Sequence, residues 1–145
     1  MVVEDMYLSK SKYTQLWQCP KMLWLDVNHR ELRTEDPALE ARFATGNEVG
    51  DLAMGLFGDF TEVTVMKGDR PDISAMLRKT QECLDAGVEN ICEASFSYNG
   101  LYCAVDIRRA EKGGRAICEV KSSTGAHEQD GIDIAYQKYV LEHCG

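Results

Sequence analysis

Leu101-Tyr102-Cys103-Ala104-Val105-Asp106-Ile107 and Arg115-Ala116-Ile117-Cys118-Glu119-Val120-Lys121 are two apolar, β-prone runs separated by Lys112-Gly113-Gly114. The glycines favour a tight reversal, so the pair reads as a hairpin of two strands. Side chains alternate across a strand with period two, which puts Glu119 and Lys121 on one face and Cys118 and Val120 on the other. Asp106 brings a second carboxylate on the neighbouring strand. Clustered carboxylates resist joint ionisation unless a cation joins them, and hard oxygen ligands of this kind select magnesium or manganese over zinc. A protonated lysine cannot be a ligand, but it can orient a water and stabilise charge developing on a phosphate. The combination suits phosphodiester hydrolysis. The same residues can also form a solvated cross-strand ion pair that contributes little and implies no chemistry.

Outward from the hairpin, helices come first. Ser9 or Ser11 can cap a helix through Trp17, Pro20 opens a second through about Asn28, and Asp36-Pro37 starts a third. That third helix carries Leu39, Phe43, Val49, Leu52, Ala53 and Leu56 at helical spacing. Thr61 to Met66 alternates like a strand, and Pro71 to Ala86 reads as a helix stopped by Gly87. Glu89 to Tyr98 is a strand joined through Asn99-Gly100 to the Asp106 strand. A polar loop, Ser122 to Asp130, follows Lys121, and Ile132 to His143 forms a final helix. The expected fold is α/β, a mixed sheet flanked by helices. It has a helical N-terminal region over about residues 8–57, a catalytic sheet over about 89–122 and a last helix over about 131–143.

The 145 residues, 44% hydrophobic and 28% charged, fit one globular domain. Met1-Val2-Val3-Glu4-Asp5 is acidic with no long apolar run behind it, which predicts neither a signal peptide nor a membrane span and so a cytoplasmic protein. Of the six cysteines, Cys92, Cys103 and Cys118 fall in strand-like runs, where free cysteine behaves as a small buried hydrophobe. The net charge of −8 argues against a nucleic-acid partner. Lys10, Lys12, Lys21, Arg30 and Arg33 nevertheless make the N-terminal helices locally basic, and Arg108 and Arg109 follow Asp106 closely. For the lysines, contact with DNA and a merely solvated helix face are both open.

Asp106 with Glu119-Val120-Lys121 resembles the PD-(D/E)XK nuclease signature. The chain is also similar, from about Leu8 to its end, to the N-terminal part of an uncharacterised bacterial RecB-like family. The matching segments are Leu8-Ser9-Lys10-Ser11-Lys12-Tyr13, Gln18-Cys19-Pro20-Lys21-Met22-Leu23-Trp24-Leu25, Gly46-Asn47-Glu48-Val49-Gly50-Asp51-Leu52-Ala53 and Tyr136-Gln137-Lys138-Tyr139-Val140-Leu141-Glu142. The resemblance implies a restriction-endonuclease-like core and a magnesium- or manganese-dependent DNA exonuclease acting on a single strand or a duplex end.

It also implies roles. Asp106, Glu119 and the Val120 carbonyl would hold the metal, Lys121 would position water, and Gln137 would orient it. Tyr136 would contact substrate; apart from the resemblance, local charge makes Lys10 and Lys12 candidates for the same contact, and its place on the strand before Asp106 makes Glu93 a candidate to support the cluster. The family's usual helix histidine falls at Gly50, so Glu48, with Asp51 as runner-up, takes that place. Some relatives hold an iron-sulfur cluster through one N-terminal and three C-terminal cysteines. Cys19 matches the first, but only Cys144 lies near the end, which argues against a cluster. The family's core continues with a strand after the last helix, so the resemblance implies a longer protein, or a symmetry mate or partner covering the sheet edge. The alternative is a catalytically degenerate binding or adaptor domain of a repair or defence complex.

Overall fold

The computed structural model describes residues 7–34 and 36–144. The acidic segment at residues 1–6 and the terminal Gly145 lie outside them. The architecture is mixed α/β, a mixed sheet flanked by helices. A short strand β1 (Leu8–Ser9) leads into α1 (Lys10–Gln18), capped by the Ser9 hydroxyl, which accepts from the Lys12 N–H. Pro20 occupies the first turn of α2 (Pro20–Asn28), and the Asp36 carboxylate caps α3 (Pro37–Met54) by accepting from the Ala38 N–H. Proline suits these positions because the first helical N–H groups have no intrahelical partner to lose.

The expected strand from Thr61 to Met66 is broken. Thr61–Glu62 forms β2, while Met66–Lys67 (β3) pairs antiparallel with Arg70–Pro71 (β4) in a separate small ribbon. Helix α4 (Ile73–Asp85) therefore starts after Pro71, with Asp72 as its cap. Strands β5 (Asn90–Tyr98), β6 (Leu101–Glu111) and β7 (Gly114–Cys118) run antiparallel, and α5 (Glu128–His143) follows. Asn99 and Gly100 both take left-handed φ, 46° and 79°, the pairing a two-residue hairpin turn requires.

Among the described residues five strands make the main sheet, in the order β1-β6-β5-β2 with β7 also on β6. β1 and β2 add in parallel at opposite sides, a detail the sequence pattern does not announce because each is two residues long. The core gathers Val63, Ile91, Ala94, Cys103, Val105, Tyr136 and Val140 between the sheet and its covering helices. By contrast α1, α2 and α3 contain no buried residue among those described. The apolar stripe on α3 is therefore not a core face: Phe43 is 63% and Leu52 82% exposed.

Candidate functional site

The site is organised by register. Cys92 pairs with Ile107 and Ala94 with Val105, while Ile107 also pairs with Cys118. Continuing each ladder by one residue sets Asp106 opposite Glu93 on one side and opposite Glu119 on the other. Three carboxylates thus occupy one row across β5, β6 and the end of β7. The row disturbs the backbone on both sides of Asp106. Glu93 has φ of 56°, a left-handed conformation that a residue with a Cβ adopts at some cost. On the other side β7 ends at Cys118, not at Lys121 as its alternation predicts. The reason is local: the Val120 N–H donates to Asp106 Oδ2 at 2.6 Å, so a side chain captures the group that would have continued the ladder.

On the Asp106 side the row opens into a groove of about 320 Å³ lined by Asp51, Glu62, Glu93, Asp106 and Val120, among others. Here carboxylates face carboxylates. Burial, and then the charges of Asp106 and Glu62, push the Glu93 carboxyl up to about 7. Burial also raises Asp106, with Glu119 adding to the effect, although the Val120 N–H pulls the other way.

On the Glu119 side every carboxylate is met by a donor. Lys10 Nζ reaches Glu119 Oε1 at 2.8 Å and Oε2 at 2.9 Å, Lys121 Nζ reaches Oε1 at 2.8 Å, and Gln137 Nε2 donates to Oε2 at 2.6 Å. Lys121 also bridges to Asp133 Oδ2 at 2.8 Å, and the Thr14 hydroxyl donates to Asp133 Oδ1 at 2.8 Å. Burial alone would raise Glu119, but the hydrogen bonds from Lys10 and Lys121 outweigh it and hold the carboxyl below its ordinary value. Asp133 is lowered in the same way, its burial outweighed by Lys121 and Thr14. Lys121 is raised well above an ordinary lysine, since Asp133 and Glu119 outweigh its desolvation.

Asp106, Glu119, Val120, Lys121 and Gln137 are therefore brought together. Glu48 is not: it is exposed and absent from the groove lining, which instead includes Gly46, Asn47, Gly50, Asp51 and Met54. Helical spacing explains the choice, because residues 47, 50, 51 and 54 share one face of α3 and residue 48 is turned off it. Lys10 is spent on Glu119 and does not face outward. Lys12 is partly buried beside it on α1. Tyr136, expected to contact substrate, is 6% exposed in the core; its hydroxyl donates to the Leu8 carbonyl and ties β1 to the sheet. Other expected cations are also engaged, Arg33 with Asp26 and Arg109 stacked 4.0 Å over Phe57. Cys92 and Cys103 are buried, Cys118 is half-buried, and Cys19 and Cys144 are exposed.

Sequence reading missed Asp133, which stands four residues before Gln137 and so on the same face of α5, a spacing that could have identified it. It missed Glu62 as well; a two-residue strand leaves no periodic signal. Among the described residues no group of three or more His, Cys, Asp or Glu side chains stands arranged as a metal site. The groove's donor set nevertheless fits a hard divalent cation. It is all oxygen, and within it the charges of Asp106 and Glu62 raise the Glu93 carboxyl. Comparison of the chain with protein-family models, with curated proteins and with solved structures finds no match, which leaves the geometry of this row to carry its functional reading.

Proposed function

We propose that the protein is a metal-dependent nuclease that hydrolyses phosphodiester bonds of DNA. The observation that carries this reading is the groove in which Asp106 and Glu93 sit with raised pKa values directly beside a Glu119-x-Lys121 pair. Magnesium or manganese would be held by Asp106, Glu93 and the Val120 carbonyl, with Asp51 and Glu62 within the same groove, and would supply a lowered water pKa and a polarised phosphate.

The chain's own residues supply the rest. Lys121, kept protonated by Glu119 and Asp133, holds positive charge next to the row, where charge develops on a phosphate. Lys10 balances Glu119, so the row is not left with three uncompensated carboxylates. Gln137, fully buried, donates through Nε2 to Glu119 Oε2 and so helps fix that carboxylate, rather than reaching a water in the groove. Thr14 fixes Asp133 and through it the Lys121 ammonium. Positioning and electrostatics carry such a reaction without a covalent intermediate.

A binding or adaptor domain is the second reading, favoured by the saturation of Glu119 with three donors, which leaves it fewer lone pairs for a metal. Digestion of linear and circular DNA with magnesium, with manganese and with chelator separates the two. Metal-dependent cutting that is lost in Asp106→Asn supports the nuclease. Tight DNA binding with no cutting under any metal supports the adaptor and sinks the proposal.

A further inference from the structure

Away from the carboxylate row, a groove of about 440 Å³ is lined by residues of α4, of the β5-β6-β7 sheet and of the last turn of α5. Its wall includes Leu84, Phe96 and Leu141, and its polar lining includes Thr80, Ser97 and Arg108. Arg108 is the informative member. It is only 9% exposed, yet no described residue gives its guanidinium a hydrogen bond or an ion pair. Its neighbour Arg109 is stacked on Phe57, 3.5 Å from Glu111, with its Nε buried and without a hydrogen-bond partner, whereas the guanidinium nitrogens of Arg108 are not closed off in this way and open on the groove. A guanidinium cannot shed its proton, so one that opens on a groove and has no protein partner favours an anion there. Burial, and then the nearby Arg115 charge, disfavour the charged form of Arg108.

We propose that this groove binds a small organic phosphate, its phosphate on the Arg108 guanidinium and its apolar body against Leu84, Phe96 and Leu141. The planar fork of arginine matches a phosphate in bidentate fashion. Thr80 adds a donor, because its Oγ1 accepts from the Ser95 N–H at 2.9 Å and its O–H remains to donate. Ser97 offers another hydroxyl. The volume lies within the range of small-molecule pockets and exceeds what an inorganic phosphate fills, which is why the ligand needs a body. Asp85, at the same groove, accepts from the Gln81 amide at 2.8 Å.

Calorimetric titration of the full chain, in chelator, with deoxyadenosine monophosphate, inorganic phosphate and hexanoate tests the assignment. The nucleotide should bind at one site, with inorganic phosphate about tenfold weaker or worse and hexanoate weaker still. Arg108→Met should abolish nucleotide binding while leaving the unliganded protein about as stable, since the guanidinium it removes holds no protein partner. Should that variant not fold, Arg108→Lys, which keeps the charge and loses the fork, should weaken binding by about tenfold. Asp106→Asn should bind the nucleotide as wild type does. Unchanged affinity in the folded Arg108 variants, no nucleotide binding by wild type at millimolar concentration, hexanoate binding as tightly, or loss of binding in Asp106→Asn would each overturn the proposal.

Discussion

Two sets of carboxylates meet at this sheet, one of them partly on α5, and the structure treats them oppositely. Glu119 and Asp133 are surrounded by Lys10, Lys121, Thr14 and Gln137, and their pKa values fall. Glu93 and Asp106 face Glu62 and Asp51 across a groove, and their pKa values rise. Similar burial yields opposite outcomes because the partners differ, so burial alone does not mark a functional carboxylate. The paired set is a scaffold that already has its cations. The unpaired set is where a cation is still owed, and it sits on the side of the row that opens to solvent.

The comparison breaks most sharply on activity. Asp106→Asn should lower metal-dependent DNA cleavage by at least about a thousandfold, on the order of 4 kcal/mol of barrier. Its melting temperature without metal should hold or rise, because the change relieves repulsion and the Asn oxygen can still accept from the Val120 N–H. Parallel cleavage assays and melting curves check both halves. Residual cleavage near wild type would remove the groove from the chemistry.

On the paired side the expected sign of the stability effect reverses. Lys10→Met removes two charge-assisted hydrogen bonds from a Glu119 side chain that is 6% exposed, and leaves Lys121 and Gln137 as its partners. Breaking a fully buried pair costs about 3–5 kcal/mol; with Lys121 retained, a loss of about 2–3 kcal/mol is expected. Denaturant unfolding at neutral pH measures it. A loss below about 0.5 kcal/mol, the scale of exposed pairs, would mean that Lys10 and Glu119 are a surface ion pair after all.

The two sets also separate on a pH axis. The folded-state pKa of Glu93, about 7, lies above its ordinary 4.5, so the native state keeps this proton across that window. Stability from this group is full below about 4.5 and is lost as the pH rises through about 7. Discounted for partial solvent exposure, the loss is about 2 kcal/mol. Glu119 and Asp133 are lowered, so their contribution is present above their ordinary values and is lost as the pH falls through the folded ones. Melting curves in chelator should therefore decline from about pH 5 to about pH 7 in wild type and not in Glu93→Gln. Added magnesium should flatten the wild-type decline. A decline that persists unchanged in Glu93→Gln would assign it to another group.

Much of this arrangement is legible in the chain. The hairpins announce themselves through Asn99-Gly100 and Lys112-Gly113-Gly114, and the helix starts through Ser9, Pro20 and Asp36-Pro37. Asp106 and Glu119 are found because each lies in or just beyond an apolar strand where a charge is out of place. What is not legible is partnership. No local pattern says that Lys10 meets Glu119 across more than a hundred residues of chain, or that Tyr136 ties down Leu8. The end of β7 is invisible too, since a hydrogen bond from Val120 to Asp106, not any change in β propensity, decides it. The apolar spacing on α3 misled for a related reason: periodicity shows that a helix has an apolar face but not that anything in the chain covers it.

The smallest effect sharpens the groove side alone. Gly50 lies within α3 and lines the acidic groove, and a Cβ built there meets nothing within 4 Å. Its φ is not in the left-handed region, so an L side chain is not strained. Gly50→Ala should therefore gain about 0.5–1 kcal/mol from helix propensity alone. Gly50→His should give up part of that gain and place an imidazole on the face that carries Asp51, adding a nitrogen donor that manganese accepts more readily than magnesium. Calorimetric titration should then show tighter manganese binding with little change for magnesium, and helix stability checks the background. If Gly50→Ala destabilises instead, the groove is narrower than its backbone leaves it, and a ligand must enter from the Glu62 and Glu93 side rather than over α3.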